Sequence, residues 1–435
     1  MSPTERHFVI VVGAGPSGLL LTLLLAQANI PVLLVEKGAK LDEQPRATHY
    51  GPPAMSVLNR AGVVDAMASI GFHPQSVCWR TLQNERLAGI DHSGTMDDPD
   101  KMVCLPLNQL GKVLLEHILR YPCATILWGH EATSIRDENG TGVIEFDTVD
   151  GKKEFRASYV VGCDGANSKI RRLLFGDEGF PGKTWDVQVV ATNVYYDFHR
   201  FGYEDANFII DPEHWYMASR ITRDGMWRVS YGESAGMTRE QLLARQPKKW
   251  KDMLPGSPDP ADYKIVNFSP YKVHQRLAKS MRVGPFILAA DAAHVCNPFG
   301  GLGLTGGIVD IGGLFDCLAG IHQKKADDSI LDLYSRVRRE IYADFVDPIS
   351  SANLVRMSDS HPNTILERDP FLQLLTAAQG DKSKMSELVN GLNVIKHDFT
   401  KYYTCNQSEP QDSITVRLSG AEENTDTKAT TKTSE

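Results

Sequence analysis

A chain of 435 residues, 42% hydrophobic and 23% charged, is long enough for two or three domains and has the composition of a globular protein with a large core. Its net charge of −8 argues against a general nucleic-acid binder, which shows a basic surface. Seven cysteines, an odd count without a Cys-x-x-Cys pair, argue against a disulfide frame or a metal site and point to free thiols in a reducing, cytoplasmic compartment.

Residues 7–12 read as a buried strand, 17–29 as a helix and 31–36 as a second strand, a βαβ unit of the kind that builds a parallel sheet. The turn inside it, Gly13-Ala14-Gly15-Pro16-Ser17-Gly18, interrupts the apolar run. The N-terminus is therefore read as neither a signal peptide nor a span of the ~20 continuous apolar residues that a bilayer requires. No later segment is expected to be long enough either. Helices are expected over residues 55–70 and 107–119, and residues 124–137, 141–149 and 152–157 read as strands of a meander. A short buried strand follows at 159–162. Composition shifts near Gly176, where three β-rich runs laden with aromatics (187–198, 207–221 and 226–232) suggest a separate sheet with one face closing a cavity. Residues 238–253 read as a helix, 282–290 resume the pattern of the first domain, and 307–321, 330–345 and 370–392 read as closing helices. The expected organisation is a discontinuous nucleotide-binding domain (1–175 and 282–325), a β-rich domain (176–281), a helical region (326–418) and a disordered tail (419–435).

Three glycine-rich stretches carry the chemistry. In the first, Gly13 permits the tight turn, Gly15 lets a pyrophosphate approach the backbone, and Gly18 lets helix pack on strand. The helix N-terminus behind Pro16 and Ser17 favours negative phosphates. Glu36, eighteen residues after Gly18, is placed to accept hydrogen bonds from ribose hydroxyls, with Lys37 beside it. The second stretch is Cys163-Asp164-Gly165-Ala166-Asn167-Ser168, following a buried strand. The third runs from Ala290-Asp291-Ala292-Ala293-His294 into Asn297-Pro298-Phe299-Gly300-Gly301-Leu302-Gly303-Leu304.

The second and third stretches resemble the Asp-Gly and Gly-Asp fingerprints of class A, single-component flavoprotein monooxygenases, the para-hydroxybenzoate-hydroxylase-like group. In style the chain is similar to the fungal phenol- and salicylate-hydroxylase-like branch, through Arg46-Ala47-Thr48-His49-Tyr50 and Pro298 to Gly307. The resemblance covers nearly the whole chain. It implies an α/β fold: a Rossmann-like FAD-binding domain of the GR2 type, interrupted by a β-rich substrate domain and closed by C-terminal helices. It also implies that Asp164 orders a turn near the pyrophosphate and that Asp291 reaches the ribitol. By the same resemblance, Gly301, Gly303 and Leu304 present N–H groups to the flavin pyrimidine, Arg46 lies near the flavin, and Gln109 contacts FAD. Two departures stand out: Ala290 replaces the usual glycine before the aspartate, and Val283-Gly284-Pro285 replaces the upstream Gly-Arg.

The activity that the resemblance implies is insertion of one oxygen atom from O2 into an aromatic or polyketide-like small molecule, in secondary metabolism or aromatic catabolism. NADPH or NADH reduces FAD, and reduced flavin and oxygen give a C4a-hydroperoxide that the substrate attacks. A phenol reacts better as phenolate, so a base or cation near its oxygen helps. Candidates are His49, near the flavin-side arginine, and Tyr216, Arg220 and Tyr231 on the aromatic strands, where alternation turns Arg228 the opposite way. A flavin dehydrogenase or oxidase of the same fold, and a non-enzymatic GDP-dissociation-inhibitor-like binding protein, are the alternatives. The expected state is a monomer or homodimer without a membrane span.

Overall fold

The computed structural model describes residues 6–43 and 46–403. The tail at 419–435, Cys405 and Pro45 lie outside the described residues. In chain order, β1 (Arg6–Val12), α1 (Pro16–Gln27) and β2 (Val32–Val35) are followed by α2 (Pro52–Arg60) and α3 (Val64–Ile70). Next come the hairpin β3 (Ser76–Thr81) and β4 (Arg86–Asp91), then α4 (Leu107–Ile118), β5 (Ala124–Leu127) and the meander β6 (Glu131–Glu138), β7 (Thr141–Thr148) and β8 (Gly151–Gly162). After α5 (Lys169–Phe175) come β9 (Gly182–Tyr195), β10 (Ala206–Ile210), β11 (Tyr216–Arg220), β12 (Met226–Glu233), α6 (Arg239–Met253), β13 (Lys264–Leu277) and β14 (Phe286–Leu288). Five helices close the described chain: α7 (Leu302–His322), α8 (Ile330–Ile341), α9 (Asp347–Met357), α10 (Pro370–Ala378) and α11 (Lys382–Asn390).

The first sheet runs β14-β8-β1-β2-β5, all parallel, with the short antiparallel strand Arg282–Val283 outside β14. β8 serves two pairings. Residues 151–157 pair antiparallel with β7, and residues 156–162 pair parallel with β1. Helix α1 is apolar all round and buried all round, between the sheet, α4 and α7. Leu19, Leu20, Leu21, Leu23, Leu24 and Leu25 are each fully buried, and each such side chain stabilises the fold by about 1.5–3 kcal/mol.

The second sheet runs β13-β9-β12-β11-β10-β3-β4 and supplies the expected β-rich unit. α6, started by a Thr238–Gln241 capping box, covers one face through Leu242, Trp250 and Met253, which pack with Tyr216, Trp227 and Tyr231. The opposite face meets Phe299, Leu354 and Met357 of the first unit and its closing helices.

Several expectations needed correction. The helix expected over 55–70 is two helices, broken where Gly62 takes φ +67°, and the one over 370–392 breaks at Gly380, φ +81°. The run 207–221 is a hairpin, β10 and β11. β13 was not foreseen, and β3–β4 joins the second sheet through a parallel pairing with β10, although it precedes β10 by more than a hundred residues. Helix α7 is long and apolar enough to pass for a membrane span by length and composition, against the expectation, but 89% of that window is buried inside the protein.

Candidate active site

The three glycine stretches follow β1, β8 and β14, which are parallel neighbours, so their loops emerge side by side at the carboxyl edge of the sheet. Contacts lock them together. Gly13 has φ +106°, and a Cβ there would sit 2.6 Å from the Cys163 carbonyl oxygen. At Gly18 a Cβ would sit 1.9 Å from the Gly13 oxygen. Gly15 differs: nothing lies within 4 Å of its missing Cβ, so the space in front of the uncapped α1 N-terminus is open. Glu36 accepts from the Ala14 N–H (2.7 Å, Oε2) and the Gly38 N–H (2.8 Å, Oε1), which fixes its carboxylate beside the turn with lone pairs to spare. Lys37 is exposed next to it, and Gln109 is half-buried on the first turn of α4.

Asp164 Oδ2 accepts from the Lys169 and Ile170 N–H groups at 2.6 and 3.1 Å, while its Oδ1 is buried without a partner. The buried Arg171, to which sequence reasoning gave no role, joins this turn to the third: it donates to the Ala166 carbonyl at 2.7 Å and the Ala292 carbonyl at 2.9 Å. Burial brings its guanidinium down to about 10.

Asp291 follows Ala290, which takes the left-handed conformation (φ +54°) that costs an L-residue roughly 1–2 kcal/mol. The Asp291 side chain is accessible, yet burial raises its pKa, offset by His294 and Arg46. Accessibility together with desolvation marks a group lining a cleft. At the other end of the stretch, Gly301 (φ +64°) precedes α7 without a side-chain cap, leaving the first N–H groups of that helix, around Gly303 and Leu304, to an outside acceptor. Open space at Gly15, the orphaned Asp164 oxygen, the cleft-lining Asp291 and the uncapped α7 N-terminus all fit an extended dinucleotide with an electron-accepting ring.

Register sorts the side chains of the second sheet onto its two faces. Asn193, Arg228 and Ser219 are cross-strand neighbours on β9, β12 and β11, and Ala191, Ser230 and Met217 form the next row, all on the face opposite α6. Arg228 donates to Asn193 Oδ1 at 3.1 Å and to the main-chain oxygen of Arg46. Arg46 itself is exposed and pairs with Asp42 at 3.0 Å. His49 Nδ1 lies 2.9 Å from Thr48 Oγ1, and its Nε2 is buried without a partner. Burial, then Arg228 and His92, bring His49 down to about 4, so it is neutral at neutral pH. Tyr271 on β13 is 36% exposed, yet burial pushes its phenol up to about 12 against the pull of Arg228, another cleft-lining pattern.

The structure does not bring the other three candidates to His49. Tyr216 is fully buried against α6, its hydroxyl 2.6 Å from that of Tyr203, and Tyr231 is fully buried against Trp250. Arg220 is engaged in the turn after β11, donating to the Thr222 and Arg223 carbonyls at 3.1 and 3.0 Å and stacking over Phe72. Alternation groups Tyr216 with Arg220 on one strand and Tyr231 with Trp227 on the next; the register sets both groups on one face, and α6 covers it.

The FAD binding domain family matches residues 6–348, and this chain belongs to that family. It is a class A FAD-dependent aromatic monooxygenase, for which NAD(P)H is the typical electron donor. It is 35% identical over 396 residues to para-nitrophenol 4-monooxygenase of Pseudomonas sp. (strain WBC-3), covering 89% of this chain and 97% of that protein. It is 34% identical over 374 residues to 6-hydroxy-3-succinoylpyridine 3-monooxygenase HspB of Pseudomonas putida (strain DSM 28022 / S16), covering 83% and 91%. The crystal structure of p-nitrophenol 4-monooxygenase PnpA from Pseudomonas putida DLL-E4 matches with a TM-score of 0.84 at 34% identity, over 90% of this chain and 98% of that one.

Proposed function

We propose that the substrate is a small phenol carrying an electron-withdrawing group, bound as phenolate with its oxygen between Arg228 and His49. The observation that carries this reading is the half-buried Arg228 guanidinium beside a neutral His49 whose Nε2 has no protein partner. A desolvated guanidinium favours an anion in front of it and lowers the pKa of a phenol there. An electron-withdrawing substituent lowers that pKa further below the ~10 of a tyrosine. Such a substrate arrives ionised, and His49 needs only to hold a hydrogen bond at its oxygen. The names of the two relatives, a nitrophenol and a hydroxypyridine monooxygenase, support an acidic ring hydroxyl.

FAD, when bound, takes reducing equivalents from NAD(P)H and activates O2 for transfer to the ring. The chain's own contribution is positional. Gly15, Glu36, Asp164 and Asp291 would hold the dinucleotide, and the α7 N-terminus would favour negative charge on its ring system. Val189, Met217 and Phe299 exclude water from the second-sheet side. We further infer a reducing, cytoplasmic setting, supported by six unpaired cysteines among the described residues.

The test is NADH and NADPH oxidation by the purified holoenzyme with a panel of para-substituted phenols, with hydroxylated product quantified. Activity rising as the phenol pKa falls supports the reading. Equal rates with non-ionisable methyl ethers would overturn it.

A further inference from the structure

The residue before Asp291 is alanine where the resemblance leads one to expect glycine, and Ala290 is held through both its amide and its methyl. The Ala290 N–H donates to Asp310 Oδ2 at 3.0 Å. The same oxygen takes His294 Nε2 at 2.7 Å, and Oδ1 takes Arg338 Nε at 2.6 Å. Arg338 also donates to the Ile395 carbonyl at 2.6 Å. Asp310, Arg338 and His294 are 0%, 2% and 4% exposed, so this carboxylate is gripped from two sides and cannot turn away from Ala290. Burial pushes the Asp310 carboxyl up, but His294 and Arg338 hold it below the usual carboxylate range, and it stays an acceptor. One turn earlier on α7 is Gly307, where a Cβ would lie 2.8 Å from the Ala290 methyl. Helix α7 thus receives both the amide and the methyl of Ala290.

We propose that Asp310 and Gly307 are positioning residues for FAD: together they hold Ala290 in a left-handed conformation that glycine adopts unaided, and so aim Asp291 at the ribitol. The proposal rests on the assignment of Asp291 to the ribitol. It is specific to a chain with alanine at 290, because a glycine there has no methyl to lodge and no conformational penalty to overcome.

The test is a set of double-mutant cycles on the full chain, with the FAD dissociation constant read from flavin fluorescence and folding from the thermal midpoint. Asp310→Asn removes the acceptor. Arg338 only donates, so it claims the single amide oxygen and turns the NH2 toward Ala290. Gly307→Ala crowds the methyl. Each single variant is expected to weaken FAD binding roughly tenfold. Adding Ala290→Gly to either is expected to restore affinity to within about threefold of the parent. A merely structural role in the core would leave the double variants as weak as the singles, and that result overturns the proposal. Should Asp310→Asn fail to fold, the Gly307→Ala pair decides alone: with glycine at 290, the nearest remaining atoms are 3.5 Å or more from the new methyl. Asp291→Ala separates the two levels. Unchanged FAD affinity there refutes the ribitol assignment, whereas weakened affinity without rescue by Ala290→Gly refutes only the positioning.

Discussion

The Arg228 guanidinium donates to the main-chain oxygen of Arg46, 182 residues earlier in the chain. This bond ties the floor of the second sheet to the segment that leads into His49. It brings the cation close enough to the imidazole to depress its pKa, although the two belong to different sheets.

Arg228→Ala is expected to lower kcat/KM about 10–100-fold, the loss of a hydrogen bond to a charged partner, mainly through KM and with FAD retained. Arg228→Lys keeps the charge without the planar fork and should recover part of the loss. Steady-state kinetics on the best substrate of the phenol panel measures both; wild-type kinetics in the alanine variant would remove Arg228 from the site.

His49 gives an acid-limb prediction. Its folded pKa of about 4 lies below the ~6.5 of an unfolded histidine, so unfolding binds a proton in that interval. The stabilisation is fully present above about pH 6.5 and is lost as the pH falls toward 4. His49→Asn should therefore flatten the fall of the thermal midpoint between those values, and raise KM for phenols. An acid limb identical to the parent's would show that His49 is not held neutral by the fold.

Two glycines three residues apart should fail in different ways. Gly15 has φ −71° and open space around it, so Gly15→Ala is expected to fold with a thermal midpoint within a few degrees of the apo parent, yet to purify without FAD. Gly18→Ala drives a methyl into the Gly13 carbonyl and should destabilise the protein by about 3 kcal/mol or more. Flavin content and thermal midpoint, measured together, distinguish a ligand cradle from a packing site.

Arg220→Ala and Tyr216→Phe are expected to leave KM unchanged. The first loosens the turn after β11, and the second loses a buried hydroxyl contact worth about 1 kcal/mol. A rise in KM in either variant would return that residue to the substrate cleft.

Much of the cofactor side was legible because its signals are local. Gly13, Gly15, Gly18 and Glu36 read as a turn at fixed offsets, and backbone geometry alone sets what those offsets mean. The substrate side was not, for a non-local reason. Alternation set Arg220 and Arg228 on opposite faces, but the face turned toward the cleft depends on where α6 docks, and α6 is amphipathic without naming its partner. The β3–β4 hairpin is similar: its pairing with β10 joins strands far apart in the chain, and no feature within Ser76–Asp91 specifies that neighbour. β13 was hidden by Pro270 and a run of polar residues that suit a strand near the sheet edge.

The double pairing of β8 bears on how the chain folds. Its first half zips onto β7 across the short turn at Val149 and Asp150, a contact that forms early because little loop entropy opposes it. That local hairpin carries Tyr159–Gly162 along with it as a ready template. β1, which must return across some 150 residues of chain, then adds to an ordered edge instead of searching for a second disordered strand. The most distant pairing in the nucleotide-binding sheet is in this way prepared by one of its most local.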